Sequence, residues 1–149
     1  MTMVHKIKFV LFGGQADEEF FNGIWSFDLL QRQRELMEPT SSGRPAQRAG
    51  HVCSNDVMYV LGGRGADGND LNDLAAFKLS NQRWYKFPYI GPAPSARAGH
   101  LMVSFGARMF ELGGESFTPT EPEEANCMHV LNTKHINYPD ANKSVEILS

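Results

Sequence analysis

The chain has 149 residues, of which 42% are hydrophobic and 21% charged, and its formal net charge is −3. This is the composition of a soluble globular domain, not of a disordered or membrane protein. The slightly negative net charge gives no basic surface that would attract nucleic acid. No apolar run is long enough to cross a bilayer. We therefore expect neither nucleic acid nor a membrane as a partner.

The ends and the cysteines give a weak indication of location. The short apolar run near the N-terminus is interrupted by Lys6 and Lys8, so it lacks the features of a signal peptide. Cys53 and Cys127 lie at non-equivalent positions of different repeats, which favours two reduced thiols over a disulfide. These features predict a cytoplasmic location.

The first third of the chain predicts two strands. Residues 7–12 form a short apolar and β-branched run that ends at glycine, and residues 24–29 form another. The intervening residues 15–23 are predicted as a loop. Residues 30–47 are rich in charge, Pro and Ser, so the outer strand of this repeat is the weakest part of the pattern.

The rest of the chain follows one strand order twice. The predicted strands of the second repeat are 50–54, 57–61, 74–79 and 84–87, with a loop at 64–71. Those of the third are 101–105, 108–112, 128–131 and a short one at 136–138. Residues 139–149 do not continue the pattern and are predicted to be a connector or a frayed end.

A repeat organises these elements. The tetrapeptide Arg-Ala-Gly-His occurs at 48–51 and 97–100, and each copy precedes a Gly pair; the pairs at 13–14, 62–63 and 113–114 recur with a period of about 50 residues. Four short antiparallel strands per repeat, with no helical periodicity, describe a β-propeller blade. A β-sandwich is the alternative architecture, but it does not require this self-similarity.

The predicted fold is therefore all-β, with about three blades of four antiparallel strands. We divide the chain into a partial blade at 1–47 whose first strand is missing, blades at 48–96 and 97–138, and the terminal segment 139–149. About eleven strands make just under three blades, whereas propellers close with four to eight. The remaining blades are expected from the rest of a longer chain or from other subunits.

These signals resemble the kelch repeat, which has Arg-x-Gly-His, an aromatic residue before Gly-Gly, Asn-Asp-Leu and a later Trp. The resemblance covers residues 7–138 and is most complete in the second repeat, where Asn72-Asp73-Leu74 and Trp84 are present. Trp84 corresponds to Tyr138 in the third repeat but only to Arg34 or Glu35 in the first. The motif positions are Gly13, Gly14, Trp25, Arg48, Gly50, His51, Tyr59, Gly62, Gly63, Trp84, Arg97, Gly99, His100, Gly113, Gly114 and Tyr138.

The repeated Arg and His residues are interpreted as structural. A residue that recurs in every blade usually serves the blade, so we expect His to hydrogen-bond to backbone and Arg to pair locally. The Gly pairs follow strands without opening helices, which argues against a phosphate-binding loop. The sequence predicts no catalytic residue, no metal site and no cofactor.

Acidic residues are concentrated after the Gly pairs, in segments that should project from one face. Nine of the 17 acidic residues lie there, against a single basic residue, Arg64. This composition is open to two readings, a solvated rim or a docking surface for a basic protein partner. The candidate partner-binding residues are Asp17, Glu18, Glu19, Phe20, Phe21, Arg64, Asp67, Asp70, Glu115, Phe117, Glu121, Glu123 and Glu124.

Two functional hypotheses follow. The resemblance implies a protein-interaction module or scaffold without chemistry of its own. The segment around Gly113-Gly114-Glu115 is similar to a blade of large fungal kelch proteins related to cell-end polarity markers, which implies a role in polarity or cytoskeletal organisation. The alternative is a fragment of a copper enzyme similar to galactose oxidases, which use the same blade; here the tyrosines mostly occupy blade-packing positions.

Overall fold

The computed structural model describes residues 2–4, 8–49, 52–54, 57–87, 91, 94–115 and 128–138. Over these ranges the backbone forms twelve β-strands and one 3₁₀ turn, with no α-helix. The strands pair antiparallel within three separate sheets, one for each predicted repeat. The predicted all-β, incomplete series of blades is confirmed, because the described sheets form an open series and not a closed ring.

The first sheet has four strands, which corrects the prediction that its first strand is missing. A first strand is present, and it pairs with the second through Thr2 and Val10. The outer strand is also present, and its Arg34 lies opposite Phe27. Backbone pairing is enough to form these short strands, since the outer one is mostly exposed and needs little apolar content. In chain order the strands are β1 (Thr2–Val4), β2 (Lys8–Ala16), β3 (Glu19–Asp28) and β4 (Gln33–Met37).

The second sheet is the most complete and lies in the middle of the series. Two short strands run successively along one edge of a long strand, which is buried over almost its whole length because sheets cover both of its faces. Its strands are β5 (Arg48–Ala49), β6 (Val52–Ser54), β7 (Val57–Gly65), β8 (Asp70–Lys78) and β9 (Arg83–Lys86).

The third sheet has three strands among the described residues, not the four that were predicted. Its strands are β10 (Leu101–Phe105), β11 (Arg108–Leu112) and β12 (Met128–Asn132), followed by the 3₁₀ turn Thr133–His135. Residues 136–138 are not a strand. Instead Tyr138 packs edge-on against Tyr85 and Phe87 of the second sheet, with ring centroids 5.0 and 5.9 Å apart. Side-chain packing, not strand pairing, therefore places this segment.

Two apolar layers join the sheets in chain order. Val10, Phe12 and Ile24 of the first sheet pack against Met58, Val60, Ala75, Phe77 and Trp84 of the second. Tyr59, Leu61 and Ala76, on the opposite face of the second sheet, pack against Met102 and Met109 of the third. Alternate residues of β7 thus enter different layers, as the period of a strand requires. The repeat boundaries after residues 47, 96 and 138 stay predictions.

The Gly pairs mark a shift of register in two of the long hairpins. Pairing slips between Phe12 and Gly14 in the first sheet and between Leu61 and Gly63 in the second. Both strands continue past the pair, so the connections predicted at 15–23 and 64–71 are short turns at 17–18 and 66–69. Several of the predicted loop residues consequently belong to strands. The glycines supply positive φ angles, for example +58° at Gly62, which side chains tolerate poorly.

Candidate interaction site

Arg48 joins the strands of the second sheet from within. It is 1% exposed, and its Nη1 and Nη2 atoms donate to the two carboxylate oxygens of Asp73 at 2.6 and 2.8 Å. Nη1 also donates to the Gly62 carbonyl at 3.0 Å, and Nε donates to the Ala46 carbonyl at 3.2 Å. The planar guanidinium holds its N–H donors in a fixed geometry, which suits it to bind these acceptors together. The guanidinium is therefore fully engaged within the sheet.

Arg97 repeats most of this arrangement in the third sheet with a different acid. Its Nη1 donates to the Gly113 carbonyl at 2.8 Å, and its Nη2 donates to the Ser95 hydroxyl at 2.7 Å. Its backbone connects the neighbouring sheets, because its carbonyl accepts from the Gly63 amide and its amide donates to the Leu71 carbonyl. The repeated motif thus ties the second and third sheets together at this junction.

His100 completes the junction between the second and third sheets. Its Nε2 lies 3.1 Å from the Leu61 carbonyl, an arrangement in which this nitrogen donates. Burial lowers the pKa of His100, which keeps the imidazole neutral. A Cβ atom at Gly62 would stand 3.0 Å from the His100 ring and from two backbone carbonyls, so only glycine fits there. The equivalent Gly50 and His51 lie outside the described residues.

The hairpin of the first sheet carries the clearest exposed acidic group. Asp17, Glu18 and Glu19 are all exposed at the turn between β2 and β3. Phe21 is exposed beside them, whereas Phe20 is half-buried. Three carboxylates and an exposed aromatic ring therefore share one protruding tip, which we call the acidic tip (residues 17–21).

The equivalent hairpin of the second sheet is less acidic at its surface than its sequence suggests. Asp67 is exposed, and a hydrogen bond from the Asn69 side chain lowers the pKa of its carboxyl. The Asp70 side chain is only 5% exposed and accepts from Arg64 Nε at 3.2 Å. Asp70 and Arg64 therefore neutralise each other within the hairpin.

In the third sheet the described part of the corresponding segment ends at Glu115. Its backbone pairs with Ala98, as that of Arg64 pairs with Ala49 in the second sheet. The side chain of Glu115 is exposed, so the same framework position carries opposite charges in the two sheets. Four predicted partner-binding residues lie outside the described residues: Phe117, Glu121, Glu123 and Glu124.

Sequence reasoning missed a buried acid, Glu111. It lies on β11 directly opposite His129 on β12, and it is 3% exposed. Its Oε1 atom is 3.8 Å from both Arg97 Nε and His100 Nε2, and its Oε2 atom is 3.4 Å from His129 Nδ1. Burial raises the pKa of Glu111, while Arg97 opposes the shift. Aligning the repeats at their Gly pairs would have found it, since Glu111 then matches Val60.

The aromatic motif residues pack and do not gather around an open centre. Trp84 lies 5.1 Å from Phe12 of the first sheet, and the Tyr59 and Tyr138 hydroxyls are hydrogen-bonded to each other. Trp25 is partly exposed, with the Arg34 guanidinium 5.5 Å from its ring. Over the described ranges, no three His, Cys, Asp or Glu side chains are placed to hold a metal ion. No described helix could span a membrane.

An open series of antiparallel β-sheets, the second and third joined through Arg97 and His100, defines a set of propeller blades. The model of the KLHDC2/KLHL20/DRC7 Kelch-repeats domain matches residues 1–145, so the chain belongs to the kelch-repeat family. This confirms the resemblance that the Arg-Ala-Gly-His and Gly-Gly motifs indicated.

Individual proteins are also similar to the chain. Tip elongation aberrant protein 1 of Schizosaccharomyces pombe is 38% identical over 72% of this chain. tRNA wybutosine-synthesizing protein 2/3/4 of Oryza sativa subsp. japonica is 31% identical over 69% of this chain. Rho GTPase-activating protein gacHH of Dictyostelium discoideum is 30% identical over 85%. The matches cover only 10%, 10% and 8% of these relatives, so the chain spans a small part of their length.

Proposed function

We propose that the chain is a protein-interaction module without chemistry of its own, which docks a partner with a basic surface through its acidic tip. The observation that carries this proposal is the difference in burial between the repeated arginines and the acidic residues of the tip. Arg48 and Arg97 are buried and engaged within the sheets, whereas Asp17, Glu18 and Glu19 are exposed together at one turn.

The composition of the acidic tip supports docking. Exposed carboxylates attract a basic partner over long range and align it, while an aromatic side chain supplies contact area at a modest entropic cost. Phe21 stands beside the carboxylates and offers such an anchor. We extend the docking surface to Asp67 and Glu115, which are exposed in the segments that follow the Gly pairs of the other two sheets. Phe117, Glu121, Glu123 and Glu124 stay part of the proposal from their sequence positions alone.

The outer faces of the two end sheets indicate a scaffold that continues. Leu11, Trp25 and Phe27 are partly exposed on the first sheet, and Val103 and Phe105 on the third. Apolar sheet faces of this kind are normally covered in a propeller. We propose that further blades, from a longer chain or from other subunits, pack against them.

The cellular setting is also part of the proposal. The similarity to Tip elongation aberrant protein 1 supports a role in cell polarity or cytoskeletal organisation. The composition and the expectation that both cysteines are reduced support the cytoplasm as the proposed compartment. Neither nucleic acid nor a membrane is expected to be the partner.

The acidic tip is tested by removing its charges without changing its shape. The variant is Asp17→Asn/Glu18→Gln/Glu19→Gln. Asn is used at position 17 because it tolerates the positive φ of +52° there. A control, Glu35→Gln/Glu38→Gln, removes two exposed acidic charges at β4 and directly after it. Immobilised full-length proteins are used to capture partners from a cell extract, which are quantified by mass spectrometry. We expect the tip variant alone to lose capture of a specific partner at an unchanged melting temperature, and equal capture by all three proteins would refute the proposal.

A further inference from the structure

A cavity of about 390 Å³ lies between the second and third sheets. Its described walls are mainly apolar, with Leu61, Leu74, Phe87, Met102, Met109 and Leu131 among them. Asp73, Glu111 and His129 are the titratable groups along the described lining, and neither Lys nor Arg is among those lining residues. This volume is at the lower end of the range for ligand pockets, so it suits one side chain or small ligand better than a folded surface.

Glu111 lines this cavity, and its carboxylate has unused hydrogen-bonding capacity. Although it is 3% exposed, neither carboxylate oxygen accepts a hydrogen bond from the described part of the chain. Arg97 and His129 lie within ion-pair distance but outside hydrogen-bond geometry. Buried carboxylates normally accept several hydrogen bonds, because an unsatisfied buried polar group is costly. The site is thus prepared for donors that the described chain does not supply.

The corresponding position between the first and second sheets is occupied by an apolar pair of residues that only packs. There the strand pair brings Val60 opposite Ala75, and both side chains are buried in the apolar layer. In the third sheet the equivalent pair is Glu111 opposite His129. Blade packing therefore does not require an acid here, and an apolar pair would fill the space at lower cost.

We propose that this cavity binds an arginine side chain of a partner polypeptide. The planar guanidinium can donate to both Glu111 oxygens at once, whereas an ammonium is a compact point charge that cannot match the pair. The apolar walls would cover the aliphatic stem, and the Phe87 ring offers a surface for the cation. Asp73 also lines the cavity, but both of its carboxylate oxygens already accept from Arg48, so Glu111 is the acid that would bind the guanidinium.

This cavity site is separate from the acidic tip. Glu111 is buried between two sheets, whereas Asp17, Glu18 and Glu19 are exposed on the first sheet. The test of the cavity uses model compounds and not the partner, so its failure would leave the proposed docking function intact. Loss of docking at the tip would likewise leave the cavity site standing.

The probe is N-acetyl-arginine methylamide, titrated into the full chain labelled at the methionine methyl groups. Met102 and Met109 line the cavity and report occupancy by their NMR shifts. We expect saturable shifts with a dissociation constant on the order of 1 mM, as one side chain supplies few contacts. The citrulline counterpart, which is similar in shape but uncharged, should bind at least about tenfold more weakly.

Variants assign the binding to Glu111. Glu111→Gln should weaken binding of the arginine compound by about tenfold or more, whereas Glu115→Gln, an exposed acid near the same junction, should leave it unchanged. Equal binding of the arginine and citrulline compounds by the wild type would overturn the proposal, even if Glu111→Gln did not fold. Full binding by a folded Glu111→Gln variant would also overturn it. Tighter binding of agmatine than of the blocked arginine would assign the cavity to a small molecule and refute the polypeptide ligand.

Discussion

Glu111 stands directly opposite His129 across β11 and β12, at the position where the second sheet places Val60 opposite Ala75. One interface between sheets is therefore wholly apolar at this position, while the next contains a titratable pair. His129 Nδ1 and Glu111 Oε2 are 3.4 Å apart. The two interfaces should consequently respond differently to pH.

The first prediction concerns the pH dependence of stability at Glu111. Burial raises the pKa of this carboxyl above its ordinary value, so the folded state favours the protonated form. The stabilisation from this group is present below the unfolded pKa and is lost as the pH rises through the folded pKa. Relative to Glu111→Gln, the wild type should therefore lose free energy of unfolding as the pH rises from the ordinary pKa of a glutamate through the raised pKa of Glu111 in the folded state, with a slope of at most about 1.4 kcal/mol per pH unit.

Urea unfolding of both proteins across this range measures the difference, in which the titration of other groups cancels. Glu115→Gln, which removes an exposed acid near the same junction, is the control. A pH dependence for Glu111→Gln no larger than that of the control would show that the carboxyl is not buried as described.

The second prediction compares two glycines that share a φ of +58°, Gly62 and Gly106. An added Cβ at Gly62 would lie 3.0 Å from the Leu71 and Arg97 carbonyls and the His100 ring, whereas at Gly106 it would meet nothing within 4 Å. Gly106→Ala should cost about 1 kcal/mol from backbone strain alone. Gly62→Ala should cost a further 1 to 3 kcal/mol or so from overpacking. Chemical unfolding measures both, and equal losses would contradict the close approach at Gly62.

The third prediction concerns the buried guanidinium of Arg48. Arg48→Ala removes the fork that holds Asp73 and the Gly62 carbonyl. The loss should be about 3 kcal/mol, since removing the buried guanidinium leaves buried carbonyls without their donor and breaks its ion pair with the partly exposed Asp73. The control Arg108→Ala, at an exposed position of β11, should change stability by less than about 0.5 kcal/mol. Similar melting temperatures for the two variants would show that Arg48 is not a framework residue.

The blades themselves could be predicted from sequence because their signals are local and repeated. The apolar run of β7 and the Gly pairs define strands and bulges without reference to distant residues. The outer strand β4 had little support in the sequence, because the first repeat has Arg34 where the second repeat has the large aromatic residue Trp84. Yet Arg34 occupies the position of Trp84 in the register, opposite Phe27 as Trp84 is opposite Phe77. An exposed strand held by backbone pairing leaves little pattern in its side chains.

The candidate sites were less accessible to sequence analysis because they depend on contacts across the fold. Acidic residues after the Gly pairs form one group in the sequence, but Asp70 is buried against Arg64 while Glu18 is exposed. Glu111 lies within a short strand, where a single acid resembles an ordinary outward-facing residue. Only the packing of the third sheet on the second reveals that it faces inward.

The most direct test of the proposed docking function is the salt dependence of association. The rate constant for binding a captured partner is measured at low and high ionic strength, for the wild type and for Asp17→Asn/Glu18→Gln/Glu19→Gln. We predict that salt slows association of the wild type by about tenfold or more and that the variant binds slowly at both ionic strengths, because its steering charges are gone. Rapid, salt-insensitive association by both proteins would contradict a role for the acidic tip.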